Sequence, residues 1–279
     1  MNKETVSRII IDTPQQAAFN MAADLYMMEQ CAVKNEVTVR FYKWSPPAIT
    51  IGYSQKASDL LDLDRLHSEG VRWIRRPTGG RAVLHYEDIT YSVIFPRTLK
   101  SMGSSIAESY RVISNCLITG LRMAGIDCIA HDSFDDLMQV RREVKLPCFL
   151  APNREEIMIQ GKKLVGSAQK RTSGAVLQHG SIPFTNAYRK LPDFQMISEP
   201  ERSGHKKLLV SKSTCIREIS PDLDEQFLIT CLIKGFAQEL PFPARRMPWA
   251  SNELKSIDML AQSTRFKTHW MSDSPDNDD

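Results

Sequence analysis

Hydrophobic and polar positions along this chain form two kinds of pattern, alternating stretches typical of strands and stretches with a helical period. Strands are predicted at 6–12, 37–44, 48–53, 71–76, 89–95 and repeatedly within 156–184. Helices are predicted at 14–34, 58–69, 104–124, 222–239 and 252–268. Because the strands cluster as hairpins rather than alternating strictly with helices, the order favours an α+β or mixed-sheet fold over a Rossmann fold.

Three polar stretches interrupt these elements. The segment 132–145 predicts a surface loop, and the basic segment 199–212 predicts a mobile linker or loop. The acidic tail 272–279 is predicted to be disordered, because it lacks the apolar residues that a packed structure needs.

Composition narrows the class of protein. Hydrophobic residues make up 42% of the 279 residues and charged residues 25%, which is ordinary for a soluble globular protein. The net charge of +3 is too small to indicate binding to nucleic acid or to a membrane. No window approaches the roughly 20 apolar residues of a membrane helix, and the N-terminus lacks a secretory pattern, so a cytoplasmic protein is expected. The six scattered cysteines form no Cys-x-x-Cys pair, so neither disulfides nor a metal site is expected.

One segment concentrates charge and glycine, running from Arg75 to His85 as Arg-Arg-Pro-Thr-Gly-Gly-Arg-Ala-Val-Leu-His. Its adjacent glycines allow backbone N–H groups to approach a ligand without interference from Cβ atoms. Arginines beside such a loop suit an anionic or strongly polar ligand. A hairpin turn with a solvated basic rim is the ordinary alternative for such a segment.

A second informative region follows about eighty residues later. Gln160-Gly161-Lys162 predicts a tight turn between two strands, with Lys163 at the start of the second strand. By alternation Lys163 shares a face with Val165, whereas Lys162 shares a face with Leu164, so parity alone does not decide which lysine points inward. A surface lysine at a hairpin remains the ordinary alternative.

Cys148 follows Pro147 in a predicted loop. A thiol is a nucleophile only as thiolate, and a nearby ammonium group favours the thiolate. A Cys148/Lys163 couple would therefore suit acyl transfer through a thioester without ATP. An unreactive thiol is the alternative.

Taken together, Arg-Arg-Pro-Thr-Gly-Gly-Arg, Gly-Lys-Lys-Leu-Val-Gly-Ser-Ala-Gln and His-Gly-Ser resemble the biotin/lipoate cofactor transferase superfamily. This superfamily contains lipoate–protein ligases, octanoyltransferases and biotin–protein ligases. The resemblance extends from about residue 19 to about residue 184. It is nearest to the cysteine-dependent octanoyltransferases of Gram-positive bacteria, because Pro147-Cys148-Phe149 and the fifteen-residue interval from Cys148 to Lys163 match that type.

The resemblance implies a large mixed sheet and a smaller sheet flanked by helices, with C-terminal helices after them. A catalytic domain would span 1–245, with its core from about 33 to 245, and a helical extension would span 246–271. Cys148 would be the acyl-thioester nucleophile, and Lys163 would lower the pKa of its thiol. The implied acyl pocket, with backbone amides available as an oxyanion hole, is lined by Arg76, Thr78, Gly79, Gly80, Arg81, His85, Gly166, Ser167, Ala168, His179 and Gly180.

The implied reaction moves octanoyl from acyl carrier protein to Cys148, then to a lysine of a lipoyl domain such as the glycine-cleavage H protein. No cofactor, nucleic acid or membrane is implied. An ATP-dependent lipoate–protein ligase is one alternative, although it needs no nucleophilic thiol. An amidotransferase that moves octanoyl between lipoyl proteins, and a non-catalytic binding module with the same fold, are the others.

Overall fold

The structure, a computed structural model, describes residues 5–131 and 156–273. Within these ranges an eight-stranded mixed sheet has the order β11-β1-β2-β6-β10-β9-β8-β7, and a three-stranded sheet has the order β4-β3-β5. The strands are β1 Ser7–Ile11, β2 Val37–Tyr42, β3 Ala48–Ile51, β4 Arg72–Arg75, β5 Val83–His85, β6 Asp88–Pro96, β7 Ile129–His131, β8 Glu156–Ile159, β9 Lys162–Arg171, β10 Ala175–Pro183 and β11 Ala244–Arg246. The predicted α+β class with a large mixed sheet and a smaller sheet is confirmed.

Helices cover the large sheet on both faces. They are α1 Ala17–Lys34, α2 Ala57–Leu60, α3 Leu63–Ser68, α4 Ile106–Met123, α5 Glu199–Lys212, α6 Ile216–Ile219, α7 Glu225–Glu239, α8 Ser251–Gln262 and α9 Thr264–Trp270, with 3₁₀ segments at Lys100–Met102 and Asn186–Phe194. Ile113 and Leu117 of α4 join the main core with Phe236 of α7, whereas α1 packs on the opposite face through Met27. Since both faces are covered, β2 and β6 are buried along their whole length. No helix in the two described ranges is long and apolar enough to cross a membrane.

The prediction of a mobile linker or loop at 199–212 is wrong, because this segment forms helix α5. Glu201 accepts hydrogen bonds from the backbone N–H and the hydroxyl of Ser198, which satisfies a donor at the helix N-terminus. Leu209 is buried in a cluster with Tyr188 and Val83. The sequence prediction relied on the basic side chains, whereas the N-terminal cap and one buried face determine that the segment is helical.

Two other predicted helices, 58–69 and 252–268, are each divided into two helices. The second division lies at Ser263, which caps α9.

The small sheet places the glycine-rich segment across the end of its central strand. β3 pairs in parallel with β4 on one side and antiparallel with β5 on the other. Because β4 and β5 are therefore not neighbours, the residues between them pass over the end of β3 instead of closing a hairpin. Gly52 follows β3 at this crossing, and a Cβ atom there would lie 2.0 Å from the carbonyl oxygen of Gly80.

Buried ion pairs attach helix α8 to the large sheet. Arg8 of β1 donates from both terminal nitrogens to Glu253, at 2.9 and 2.7 Å, and Lys34 donates to the same carboxylate at 2.8 Å. Burial alone would raise the pKa of Glu253, but hydrogen bonds from Arg8, Lys34 and the Ala250 N–H lower the pKa to about 2. The carboxylate therefore stabilises the fold above its unfolded pKa near 4.5, and this contribution is lost as the pH falls from there towards 2.

Glu253→Ala is expected to lower the free energy of unfolding by about 3 kcal/mol, because Arg8 would be left as a buried charge without this partner. Urea denaturation at neutral pH measures the loss. Glu69→Ala is the matched control, since its pair with Arg65 is exposed and contributes less than about 1 kcal/mol. Equal losses in the two variants would show that the Glu253 pair does not hold α8 in place.

Candidate functional site

A cavity lies where the small sheet, the segment between β4 and β5, and strands β9 and β10 meet. The empty space in it and at its open mouth, which includes solvent, is about 370 Å³. Seven residues that the sequence analysis selected line its wall: Arg76, His85, Gly166, Ser167, Ala168, His179 and Gly180. The remaining lining residues are Met21, Tyr42, Trp44, Thr50, Val83, Thr90 and Ser181. The structure therefore brings together two sequence segments that are about eighty residues apart.

Arg76 holds the glycine loop, here the residues 76–81, from inside the protein. Its side chain is buried, and its Nε donates to the Thr78 hydroxyl at 3.1 Å. One terminal nitrogen donates to the carbonyl and hydroxyl oxygens of Thr50, and the other donates to the carbonyls of Gly79 and Arg81 at 2.8 and 2.9 Å. In the described part of the chain, all three guanidinium nitrogens therefore donate to atoms of the loop or of Thr50. The geometry thus favours positioning of the loop as the role of Arg76.

The other predicted loop residues lie around the cavity rather than in its lining. Gly79 and Gly80 are exposed, and Gly80 has a φ of 98°, a conformation that favours glycine. Arg75 is buried and donates to backbone carbonyls, including those of Tyr53 at 2.8 Å and Ser272 at 3.2 Å. Arg75 therefore binds backbone carbonyls inside the protein and is not part of a solvated basic rim.

Two buried histidines in the cavity wall each lie between a carboxylate and a threonine. Nδ1 of His179 is 3.1 Å from Asp24 Oδ2, and its Nε2 is 2.7 Å from the Thr78 hydroxyl. Burial lowers the pKa of His179, although Asp24 acts in the opposite direction. This histidine is therefore neutral at neutral pH.

The second histidine repeats the arrangement. Nδ1 of His85 is 2.9 Å from Asp88 Oδ2, its Nε2 is 3.1 Å from the Thr50 hydroxyl, and its ring stacks on Trp44 with centroids 4.2 Å apart. Burial would raise the pKa of Asp88, but its contact with His85 and hydrogen bonds from Ser181 and Thr90 hold that pKa below the usual range. Asp88 is therefore a fixed, ionised acceptor.

On the opposite wall, a chain of neutral hydrogen bonds fixes Ser167. The Tyr91 hydroxyl is 2.7 Å from the Ser167 hydroxyl, and Gln178 donates to the Tyr91 oxygen at 3.2 Å. Burial raises the pKa of Tyr91 to about 12, so the phenol keeps its proton. Pairing of β9 with β10 sets Ser167 opposite Gly180, which presents both predicted segments to the same space.

Lys163 points inward. Its side chain is 3% exposed, and its Nζ lies 2.5 Å from Glu156 Oε1. Lys162 points the other way and donates to the carbonyl of Val210 on the surface. Lys163, and not Lys162, is therefore the inward-pointing lysine that alternation could not identify. Lys163 is nevertheless not among the residues that line the cavity.

Cys148 lies outside the described residues, so its predicted pairing with Lys163 stays a prediction. Cys31, Cys116, Cys128, Cys215 and Cys231 are all buried. Burial raises the pKa of the Cys116 thiol to about 12 and that of Cys128 to about 11, and it also raises the pKa of Cys215. These three thiols are poor nucleophiles at neutral pH because little of each is thiolate.

The model of the lipoyl protein ligase A/B catalytic domain matches residues 16–237, a span that contains the loop, the cavity and Lys163. The chain belongs to this family. Octanoyltransferase LipM of Bacillus anthracis is 37% identical over 263 residues, which cover 91% of this chain and 93% of that protein. Octanoyltransferase LipM of Anoxybacillus flavithermus is 33% identical over 282 residues, which cover 97% and 99% of the two chains.

Solved structures of lipoate protein ligases have the same fold. A bi-partite lipoate protein ligase, solved in a study of an archaeal lipoylation system with an E2 lipoyl domain from Thermoplasma acidophilum, superimposes with a TM-score of 0.76. The match covers 95% of this chain and 94% of that chain at 22% sequence identity. At this identity the likeness establishes the architecture alone.

Sequence reasoning missed several residues that form the site in this protein. Asp24 interrupts the apolar run Met21-Ala22-Ala23 in helix α1, and a charge at that position is the signal that could have revealed it. Asp88, Thr50 and Glu156 gave no comparable signal, since polar residues at strand ends are common.

Proposed function

We propose that this protein is an octanoyltransferase, which moves octanoyl from acyl carrier protein through a thioester on Cys148 to a lysine of a lipoyl domain. The acceptor would be a protein such as the glycine-cleavage H protein, and the partners would meet the enzyme in the cytoplasm. The observation that carries the proposal is the likeness to octanoyltransferases over more than nine-tenths of both chains. The presence of Cys148 and Lys163 in this sequence is consistent with that activity.

In the first step, the Cys148 thiolate attacks the thioester carbonyl of the octanoyl carrier. The tetrahedral intermediate expels the carrier thiolate, which takes up a proton, and an octanoyl thioester on Cys148 remains. In the second step, a neutral lysine amine of the acceptor attacks that thioester. An amide forms and the Cys148 thiol is restored, so the energy of the donor thioester drives both steps and no ATP is consumed.

The cavity supports an acyl substrate. Met21, Trp44 and Val83 contribute apolar surface, and Gly166 and Ala168 are small enough to leave room beside it. A chain of methylene groups gains about 0.8 kcal/mol for each CH₂ that it buries. We therefore assign the wall formed by β5, β9 and β10 to the octanoyl chain. As a separate assignment, we propose that residues 246–271 form an extension of the catalytic domain.

The proposal is tested by incubating the protein with octanoyl-acyl carrier protein in the absence of ATP and measuring its intact mass. One octanoyl adduct is expected, located on Cys148 by peptide mapping and removed by hydroxylamine at neutral pH. Addition of a lipoyl domain should then discharge the adduct and acylate one lysine. Acylation of the domain that requires free octanoate or lipoate with ATP, and forms no adduct, would instead identify a ligase.

Gly52→Ala is expected to lower the rate of octanoyl transfer by about tenfold, because its Cβ would displace the Gly80 carbonyl and shift the loop. Gly204→Ala on α5 is the matched control. A Cβ at Gly204 meets no atom within 4 Å, so its rate should stay within about twofold of the parent. Steady-state rates at saturating donor measure both effects, and equal rates in the two variants would remove the loop from the proposed pocket.

A further inference from the structure

We propose that Asp24 and Asp88 are positioning residues that hold His179 and His85 as neutral Nδ1–H tautomers. Through the threonine hydroxyls beyond them, the two imidazoles then fix Arg76 and the glycine loop. The effect on transfer rests on the proposed function, whereas the tautomers do not depend on it. Neither carboxylate is among the residues that line the cavity, so both act through the histidines.

The first chain of contacts begins on helix α1. The Nδ1–H of His179 donates to Asp24 at 3.1 Å, which leaves Nε2 with a lone pair. The Thr78 hydroxyl donates to that lone pair at 2.7 Å, and its oxygen accepts from Arg76 Nε at 3.1 Å. Every proton in this chain thus points from a donor to an acceptor.

The second chain begins on β6 and reaches the same guanidinium. The Nδ1–H of His85 donates to Asp88 at 2.9 Å, and the Thr50 hydroxyl donates to Nε2 at 3.1 Å. The Thr50 oxygen accepts from Arg76 at 3.3 Å. Two aspartates that are 64 positions apart in the sequence are therefore each connected to Arg76 through a histidine and a threonine.

The opposite tautomer does not fit either chain. With the proton on Nε2, the Nδ1 lone pair of His179 would face the lone pairs of Asp24, which repel it. The Thr78 oxygen would then receive N–H donors from both His179 and Arg76, and its own proton would have to turn away from both. An imidazolium creates the same conflict at Thr78. At His85, a proton on Nε2 would likewise bring a second N–H donor to the Thr50 oxygen, which already accepts from Arg76. The neutral Nδ1–H form therefore satisfies the contacts of both rings.

The consequence is a loop whose position depends on five elements of the fold, namely α1, β3, β5, β6 and β10. The hydroxyl oxygens of Thr50 and Thr78 orient the guanidinium of Arg76. Its other terminal nitrogen donates to the carbonyls of Gly79 and Arg81. A change of tautomer at either histidine reverses a hydrogen bond to a threonine and removes one support of the guanidinium. The loop would then lose its fixed place beside the cavity.

Nitrogen-15 NMR of the histidine rings tests the assignment directly on the whole protein. At neutral pH, His85 and His179 should show the Nδ1–H signature, and exposed His67 serves as an internal reference. Asp24→Asn should convert His179 alone to the Nε2–H tautomer, because the amide can donate to Nδ1, as in the aspartate-to-asparagine change of a serine protease triad. Asp88→Asn should convert His85 alone.

Threonine variants test whether the chain positions the loop. Thr78→Val keeps the shape but removes the hydroxyl, and it should lower the rate of octanoyl transfer by about tenfold. Thr78→Ser restores the hydroxyl and should recover most of the rate. Equal rates for Val and Ser, an Nε2–H or doubly protonated ring in the parent, or unchanged tautomers in the Asn variants would overturn the proposal. Absence of any octanoyl adduct in the parent would refute the proposed function and leave the tautomer result intact.

Discussion

Cys148→Ala is expected to form no octanoyl adduct and to transfer no octanoyl to a lipoyl domain. The variant has no atom at this position that can carry the acyl group, and the donor thioester would have to be attacked directly by the acceptor lysine. A protonated surface ammonium is a poor nucleophile, so the loss should reach the detection limit, on the order of 10³-fold or more. Intact mass and lipoyl-domain acylation measure the two steps separately.

Cys128→Ala is the matched control for this loss. Cys128 is buried in the main core, and its thiol is kept protonated by a pKa near 11, so its removal should leave adduct formation close to the parent value. Retention of transfer in Cys148→Ala, together with a requirement for ATP, would mean that the protein activates its substrate as a ligase does. An octanoyl adduct that persists in Cys148→Ala would mean that the acyl group sits on another residue.

The α+β class was accessible from the sequence because it follows from local periodicity, whereas the division into a large and a small sheet came from the family resemblance. The alternating and helical patterns located β1, β2 and α4 to within a few residues, and the clustering of strands gave the mixed sheet. The predictions failed where a single capping residue determines where a helix begins or ends. Ser263 divides the last helix, and the Ser198 cap turns a polar segment into helix α5.

The orientation of Lys163 could not be obtained from alternation, for a physical reason. Alternation separates inside from outside only when one face of a strand meets water, and here Lys163, Leu164 and Val165 are all buried. The pairing of β8 with β9 also shifts register between Ile157 and Met158. Glu156 at the start of β8 supplies the carboxylate that pairs with the buried Lys163.

The carboxylate–histidine–threonine chains lay further from the reach of sequence reasoning. His179 and Asp24 are separated by 155 positions, and His179 and Thr78 by 101. Motif spacing describes residues that are near one another in the chain, whereas these contacts exist only once the two sheets have packed together. The family resemblance therefore selected His85 and His179, which line the cavity, but not the groups that fix them.

Lys163→Ala is expected to reduce acylation of Cys148 on the order of 10²-fold. The buried ammonium would favour the Cys148 thiolate, and its loss removes that positive charge from a region with little water. The pH profile of Cys148 alkylation should consequently move to higher pH in the variant. This readout separates an electrostatic role from a loss of folding, which would not shift the profile of the surviving protein.

Two variants make the comparison sharp. Lys162→Ala removes the neighbouring lysine, which bonds to a surface carbonyl, and should leave both the rate and the alkylation profile near those of the parent. Lys163→Arg keeps a positive charge beside Glu156 and should retain the alkylation profile even if the larger guanidinium slows transfer. An unchanged profile in Lys163→Ala would assign Lys163 to the Glu156 ion pair alone, and the activation of Cys148 would then need another source of positive charge.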